Sequence, residues 1–153
     1  MSLSKIHIRK AKMEDLNSIK VLADANKAAL GFVLRPALAA GIKKGWVLVA
    51  ENCNQRIIGF VHYRHRQDSQ TTLYEICLDE DWRGNGVGRS LIGALSDEAA
   101  ILGKDRIRLK SPVDLSANGF YQALGFTLLG VEIGKQRRLN VWETQSGNGR
   151  VKP

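Results

Sequence analysis

The sequence predicts a mixed α/β fold, and three observations carry that prediction. Apolar runs of strand length alternate with longer stretches of helical spacing along the 153 residues. Three strand-like runs, at residues 46–50, 56–63 and 73–78, follow one another through polar turns and read as an antiparallel meander. The helical stretch between the strands near 78 and 106 is long enough for a right-handed crossover, which makes those two strands parallel neighbours. The result is an α/β (α+β) domain with a central, mostly antiparallel sheet of about seven strands and about four helices.

The elements follow in order. Ile6 and Ile8 alternate with polar residues and predict a first strand. Met13 and Glu14 open a helix whose Leu16, Ile19, Leu22 and Ala23 share one face, running to about Leu30. Gly31 and Pro36 punctuate a break, and Pro36 opens a short second helix that ends near Gly45. The meander follows, with turns at 52–55 and 64–71. After it, Val87, Leu91, Leu95, Ala99 and Leu102 recur near helical spacing. Residues 106–110 form a strand, Pro112 marks a loop, Tyr121 lies on a short helix, and 126–131 with 138–142 close the chain as a second hairpin.

A chain of this length is one domain's worth, expected to bury about two-thirds of its unfolded surface in a single core. The domain is predicted over residues 1–143, with 144–153 as a polar, basic tail. Hydrophobic residues are 44% and charged residues 25%, an ordinary globular balance. No apolar run reaches membrane-spanning length and no basic start precedes an apolar stretch, so a cytoplasmic protein is expected. Cys53 and Cys77 lack metal or redox spacing and are read as structural thiols; His62 and His65 are alternative general-base candidates, each read first as surface or structural, and no metal site is expected. The net charge of +8 is compatible with a polyanionic ligand, but Trp46, Trp82 and Trp142 are not interleaved with a basic stripe, which counts against nucleic acid.

The most informative stretch is Arg83-Gly84-Asn85-Gly86-Val87-Gly88-Arg89-Ser90, placed between a strand and a helix. Its glycines allow a tight turn whose free N–H groups, at a helix start, suit a phosphate. It is not a Walker A loop, because Gly84 and Gly88 enclose three residues and are followed by Arg89-Ser90. It is not a dinucleotide fingerprint either, because the third glycine of that pattern would fall on Arg89. Arg83 to Gly88 does resemble the Arg/Gln-x-x-Gly-x-Gly/Ala signature of the GNAT superfamily of N-acetyltransferases, and Phe120-Tyr121-Gln122-Ala123-Leu124-Gly125-Phe126 resembles that family's second block.

The resemblance implies the rest of the chemistry. It implies acetyl-CoA as co-substrate, with its pyrophosphate on the backbone of Gly84, Asn85, Gly86, Val87 and Gly88, near the side chains of Arg83, Arg89 and Ser90. It implies a splayed parallel pair of strands, with the pantetheine arm along Ile76, Cys77 and Leu78 and the Leu78 N–H serving the oxyanion. It places Tyr121 beside the CoA sulfur as general acid, and puts Glu75 on the strand facing the cleft as candidate base. Asn118 is a candidate cofactor contact, because the family's usual asparagine position is Asp114 here. A second departure is Glu80, where many members have proline.

The expected reaction is direct acetyl transfer to a primary amine of a small molecule or peptide. The segment that walls the acceptor pocket in the family, residues 25–45, contains no Asp or Glu but holds Lys27, Arg35, Lys43 and Lys44 among Phe32, Val33 and Leu34. Like charge would repel a polycation there, so the expected acceptor is a weakly charged or acidic amine or a peptide terminus. The competing reading is a basic binding module, an acyl-CoA sensor or nucleic-acid binder without turnover. The final hairpin is a candidate surface for pairing with a second copy.

Overall fold

In the computed structural model, residues 5–30, 33–114 and 117–147 are described. In chain order the elements are β1 (His7–Lys10), α1 (Leu16–Ala25), α2 (Lys27–Leu30), α3 (Arg35–Lys44), β2 (Val47–Glu51), β3 (Ile57–His65), β4 (Gln70–Leu78), α4 (Val87–Ile101), β5 (Arg106–Pro112), α5 (Ala117–Ala123), β6 (Thr127–Ile133) and β7 (Arg138–Gln145). One 7-stranded sheet has the order β1-β2-β3-β4-β5-β7-β6. Only β4 and β5 run parallel, joined by α4 as the crossover.

The sheet has a core on each face. On one side Leu91, Ile92 and Leu95 of α4 pack with Val61, Ile76, Ile107, Tyr121 and Trp142. On the other, Ile19 and Leu22 of α1 and Leu38 and Ile42 of α3 pack on Val49, Phe60 and Cys77. Leu91, Leu95, Ile19 and Leu38 are fully buried, each contributing about 2 kcal/mol of apolar transfer. α3 stops at Gly45, whose φ of 78° is the left-handed cap that glycine adopts without strain. Lys43 and Lys44 in its last turn oppose the carbonyl end of the helix.

Three boundaries differ from the sequence expectation. The first helix divides at Asn26, whose side-chain Nδ2 donates back to the Leu22 carbonyl at 2.9 Å and so competes with helix propagation. β4 begins at Gln70, because Thr71 and Thr72 pair with Ile107 and Arg108 and extend the strand into the predicted polar turn. β7 continues to Gln145, and Ser146 Oγ donates to the Lys104 carbonyl while Gly147 N–H donates to Ser96 Oγ. Folded chain therefore passes residue 143, and the remaining 148–153 of the expected tail lie outside the described residues.

Beneath the α4 side lies a charged network. Glu98 accepts from Lys10 Nζ at 2.5 Å, Tyr63 Oη at 2.8 Å and His65 Nε2 at 2.8 Å. Burial pushes the Glu98 carboxyl up, but the hydrogen bonds from His65, Lys10 and Tyr63 outweigh it and bring the pKa from 4.5 to about 2. A carboxylate with a depressed folded pKa stabilises the fold fully above its unfolded value, and this stabilisation is lost as pH falls from about 4.5 towards about 2. Glu98→Gln is expected to remove roughly 1 kcal/mol at neutral pH, after allowance for solvent screening, and to flatten acid unfolding in that window. Urea melts at pH 7, 4 and 3 check both effects.

β6 is an edge strand with Leu128, Leu129, Val131 and Ile133 exposed along it. Among the described residues no helix is long and apolar enough to cross a membrane.

Candidate active site

The two parallel strands are paired only at Gln70–Thr72 of β4 and Arg106–Arg108 of β5, and β5 then follows β7 through to Pro112. A gap therefore opens between Leu73–Leu78 and the second half of β5. The β3 register fixes what faces it. Asp79 N–H donates to the Ile58 carbonyl at 2.7 Å, so exchanged pairs fall on every second residue of β4. That alternation turns the N–H and C=O groups of Ile76 and Leu78 away from β3 and into the gap. Ile76 and Leu78 send their side chains into the α4 core, whereas Cys77 packs on the α1/α3 side.

β4 carries a bulge beside this gap. His62 pairs with Glu75 but Tyr63 pairs with Leu73, leaving Tyr74 as the extra residue. Tyr74 and Glu75, neighbours in sequence, consequently both meet one imidazole. The His62 and Tyr74 ring centroids are 5.1 Å apart, and His62 Nδ1 lies 2.9 Å from Glu75 Oε1. His62 is buried against α3, where a Cβ on Gly41 would stand 2.6 Å from its Nε2. Only glycine at 41 leaves room for this ring. His62 is thus not a surface histidine but a buried one, hydrogen-bonded to the candidate base. His65, by contrast, bonds Thr71 and Glu98 and is structural.

The glycine loop turns with Gly84 at φ 78° and Gly86 at φ 81°, both in the left-handed region. α4 begins without a side-chain cap, and its first backbone bond runs from Ser90 N–H to the Gly86 carbonyl. Among the described residues, the N–H groups from Gly84 to Arg89 have no acceptor. They form a row of donors at a positive helix end. Gly88 is held for a different reason: a Cβ there would meet the Phe120 ring at 3.1 Å, so it sets how closely α4 and α5 pack.

The side chains around the loop divide by contact. Arg83 Nη2 donates to Asn26 Oδ1 at 2.6 Å, tying the loop to the end of α1. Asn85 folds back on the Arg83 carbonyl, Arg89 reaches the Ala123 carbonyl at 3.4 Å, and Arg89 and Ser90 are exposed beside the donor row. Asn118 is placed otherwise than expected. Its Oδ1 accepts from Ser111 Oγ and Trp142 Nε1, and its Nδ2 donates to the Pro112 and Val113 carbonyls. With both amide atoms doubly engaged, it fastens α5 to β5 and β7 and has little capacity left for a ligand.

Tyr121 is buried on the α4 side among Phe120, Phe126 and Trp142, with centroids 5.9, 6.4 and 6.0 Å away. Its hydroxyl has no hydrogen-bond partner among the described residues. Burial raises its pKa above the usual phenol value, and the negative charge of Glu75, felt across the sheet, raises it further. Cys77 is also on the strand, but burial pushes its thiol up to about 12, and with its Sγ against the Leu22 carbonyl it is inert. Among the described residues no group of three or more His, Cys, Asp or Glu could hold a metal ion.

On the α1/α3 side Glu75 lines a cavity of about 520 Å³ together with Gly41, Lys44, Trp46, His62, Arg64 and Tyr74. Of the basic residues expected to wall an acceptor, only Lys44 lines it. Arg35 is engaged with Asn17, and Phe32 lies outside the described residues.

A sheet splayed at its parallel pair, with a donor-rich helix start at the open end and a carboxylate and phenol on either side, defines an acyl-transfer fold. The chain belongs to the acetyltransferase (GNAT) family, whose domain profile matches residues 43–128. It is 31% identical over 133 residues to the 5-NmdU N-acetyltransferase of Pseudomonas phage PaMx11, spanning 84% of this chain and 92% of the relative. Its fold is similar to the ribosomal-protein-S18-alanine N-acetyltransferase of Escherichia coli, with a TM-score of 0.76 and 18% identity over 92% of this chain and 94% of that one. It is also similar to the PaiA N-acetyltransferase of Thermoplasma acidophilum in complex with coenzyme A, with a TM-score of 0.77 and 20% identity over 95% and 99%.

Proposed function

We propose that the chain transfers the acetyl group of acetyl-CoA directly to a primary amine, with Glu75 as base and Tyr121 as acid. The observation that carries this reading is the opened β4–β5 pair, into which Ile76 and Leu78 direct main-chain donors and acceptors, with Glu75 on the same strand and Tyr121 in the core cluster that takes the Ile76 and Leu78 side chains. The co-substrate supplies an acetyl group activated as a thioester. Residues present fit its diphosphate: the unpaired N–H groups from Gly84 to Arg89, with Arg83, Arg89 and Ser90 at the rim, match a dianion. Binding through this remote handle positions the reacting carbonyl without demanding ground-state contact at the acetyl group.

Glu75 takes a proton from the amine through the oxygen that His62 leaves free, while Oε1 stays on Nδ1. The amine nitrogen forms the amide bond as the carbon–sulfur bond breaks. Leu78 N–H meets the charge that develops on oxygen, and Tyr121 Oη gives its proton to the departing sulfur. Asn118 is left out of the cofactor contacts, for the reason its hydrogen bonds state. The amine named for the phage relative, 5-NmdU, is carried over as the first acceptor to assay. Two unbonded cysteines suit a reducing compartment, so the cytoplasm is the proposed place of action.

Calorimetric titration with acetyl-CoA and a discontinuous assay of acetyl-amine formation test the reading together. Micromolar binding with turnover supports it; binding without transfer to any amine in a broad panel leaves the sensor reading instead. Gly41→Ala probes the dyad. The added methyl displaces His62, and kcat is expected to fall about tenfold, with overpacking of about 1–3 kcal/mol partly offset by about 1 kcal/mol of helix propensity. Steady-state kinetics beside a thermal melt separates the activity loss from the smaller change in stability.

A further inference from the structure

Lys44 and Arg64 stand at the mouth of the Glu75 cavity, and neither has a carboxylate within ion-pair distance among the described residues. Several cations of the sheet and its turns are matched instead: Arg9 by Asp15 and Glu51, Arg56 by Asp79, Arg108 by Glu143, Lys110 by Glu132. Lys44 Nζ and Arg64 Cζ instead each lie 5.7 Å from the centre of the Trp46 ring. An indole face holds such cations in place without neutralising them. Glu75 is the only acid among the cavity's lining residues, and one of its oxygens is committed to His62.

The cavity is also larger than an alkylamine needs, and its walls, Ala37, Ala40, Trp46 and the 42% exposed Tyr74, are flat and apolar. The Tyr74 ring is held by a tilted contact with His62, and its exposed part offers surface to a planar ring. A half-buried carboxylate, aromatic walls and two exposed cations without a carboxylate partner thus line one cavity.

Resting on the transferase reading above, we propose that the acceptor is an amine borne on a planar ring that also carries a phosphate, the phosphate being held by Lys44 and Arg64. A phosphate would neutralise both cations at once, and a fixed, pre-placed guanidinium is suited to grip two of its oxygens. The same chemistry is offered by a phosphate monoester and by a phosphodiester strand, and the assay separates them.

The test compares benzylamine, para-(aminomethyl)phenyl phosphate and an oligonucleotide bearing an aminoalkyl pyrimidine, each at saturating acetyl-CoA. The phosphate compound is expected to exceed benzylamine in kcat/KM by about tenfold or more, chiefly through KM. That ratio should shrink as salt rises, and in the double substitution Lys44→Gln, Arg64→Gln it should fall to within about twofold of unity. A further gain for the oligonucleotide, with a steep salt slope, identifies a strand as the source; parity identifies a small phosphorylated amine. Equal kcat/KM for benzylamine and its phosphate, or a preference that survives the double substitution, overturns the proposal. Should no amine be acetylated, the transferase reading fails on its own, and calorimetry of the same two small amines still decides the subsite: tighter binding of the phosphate, lost on substitution, supports it, and equal binding refutes it.

Discussion

Glu75→Gln is expected to lower kcat by about a hundredfold to a thousandfold, the range for loss of a positioned general base. The substitution is nearly isosteric, and its amide oxygen can still accept from His62 Nδ1, so the local geometry survives while the proton acceptor is removed. Acetyl-CoA affinity should stay within about twofold, because the diphosphate contacts lie on the loop and not on this side of the sheet. The pH profile gives the sharper signature. Free amine near pKa ~10 becomes available as pH rises, so the variant should gain activity with alkali and recover part of its deficit. A loss smaller than about fivefold, with an unchanged pH profile, would remove Glu75 from the chemistry. His62→Asn then separates orientation from proton transfer: as a positioning residue His62 should affect kcat less than Glu75 and add little in the double variant.

What the sequence made legible follows from how far each signal reaches along the chain. The glycine loop was readable because its demands are local. Residues at φ near 80° need glycine, and a helix start with free N–H groups announces itself by the strand before and the apolar stripe after. The antiparallel meander and the parallel pair were readable from the turns and the length of the crossover, whereas the insertion of β7 between β5 and β6 was not. The pairing of His62 with Glu75 was not, because it depends on a bulge that makes Tyr74 an unpaired residue, and strict alternation says nothing of such an insertion. Gly41 looks like an ordinary weak spot in a helix until the fold brings His62 within 2.6 Å of its missing Cβ. Asn118 shows the opposite failure. The family resemblance made it a candidate cofactor contact, but the fold surrounds it with Ser111, Pro112 and Val113 from one segment and Trp142 from another. The unmatched cations beside Trp46 were likewise invisible, since neutralisation is a property of tertiary pairs and not of composition.

Tyr121→Phe is expected to lower kcat by about a hundredfold and to leave acetyl-CoA binding nearly unaltered, since only the hydroxyl is lost and the ring keeps its packing against Phe120, Phe126 and Trp142. Burial, reinforced by the charge of Glu75, holds the phenol neutral to higher pH than in water, so the wild-type profile should show no fall in kcat up to about pH 10 from loss of this proton. The raised pKa also makes the phenol a reluctant acid, which means that its help matters most when the departing sulfur is most basic. The deficit of the variant should therefore depend on the leaving group. With an acetyl thioester of an acidic aryl thiol, the thiolate departs without protonation, and the ratio of wild-type to variant rates should contract from about a hundredfold towards unity. A deficit of the same size with both donors would assign Tyr121 to shaping the cavity, because a packing defect does not sense the pKa of the thiol.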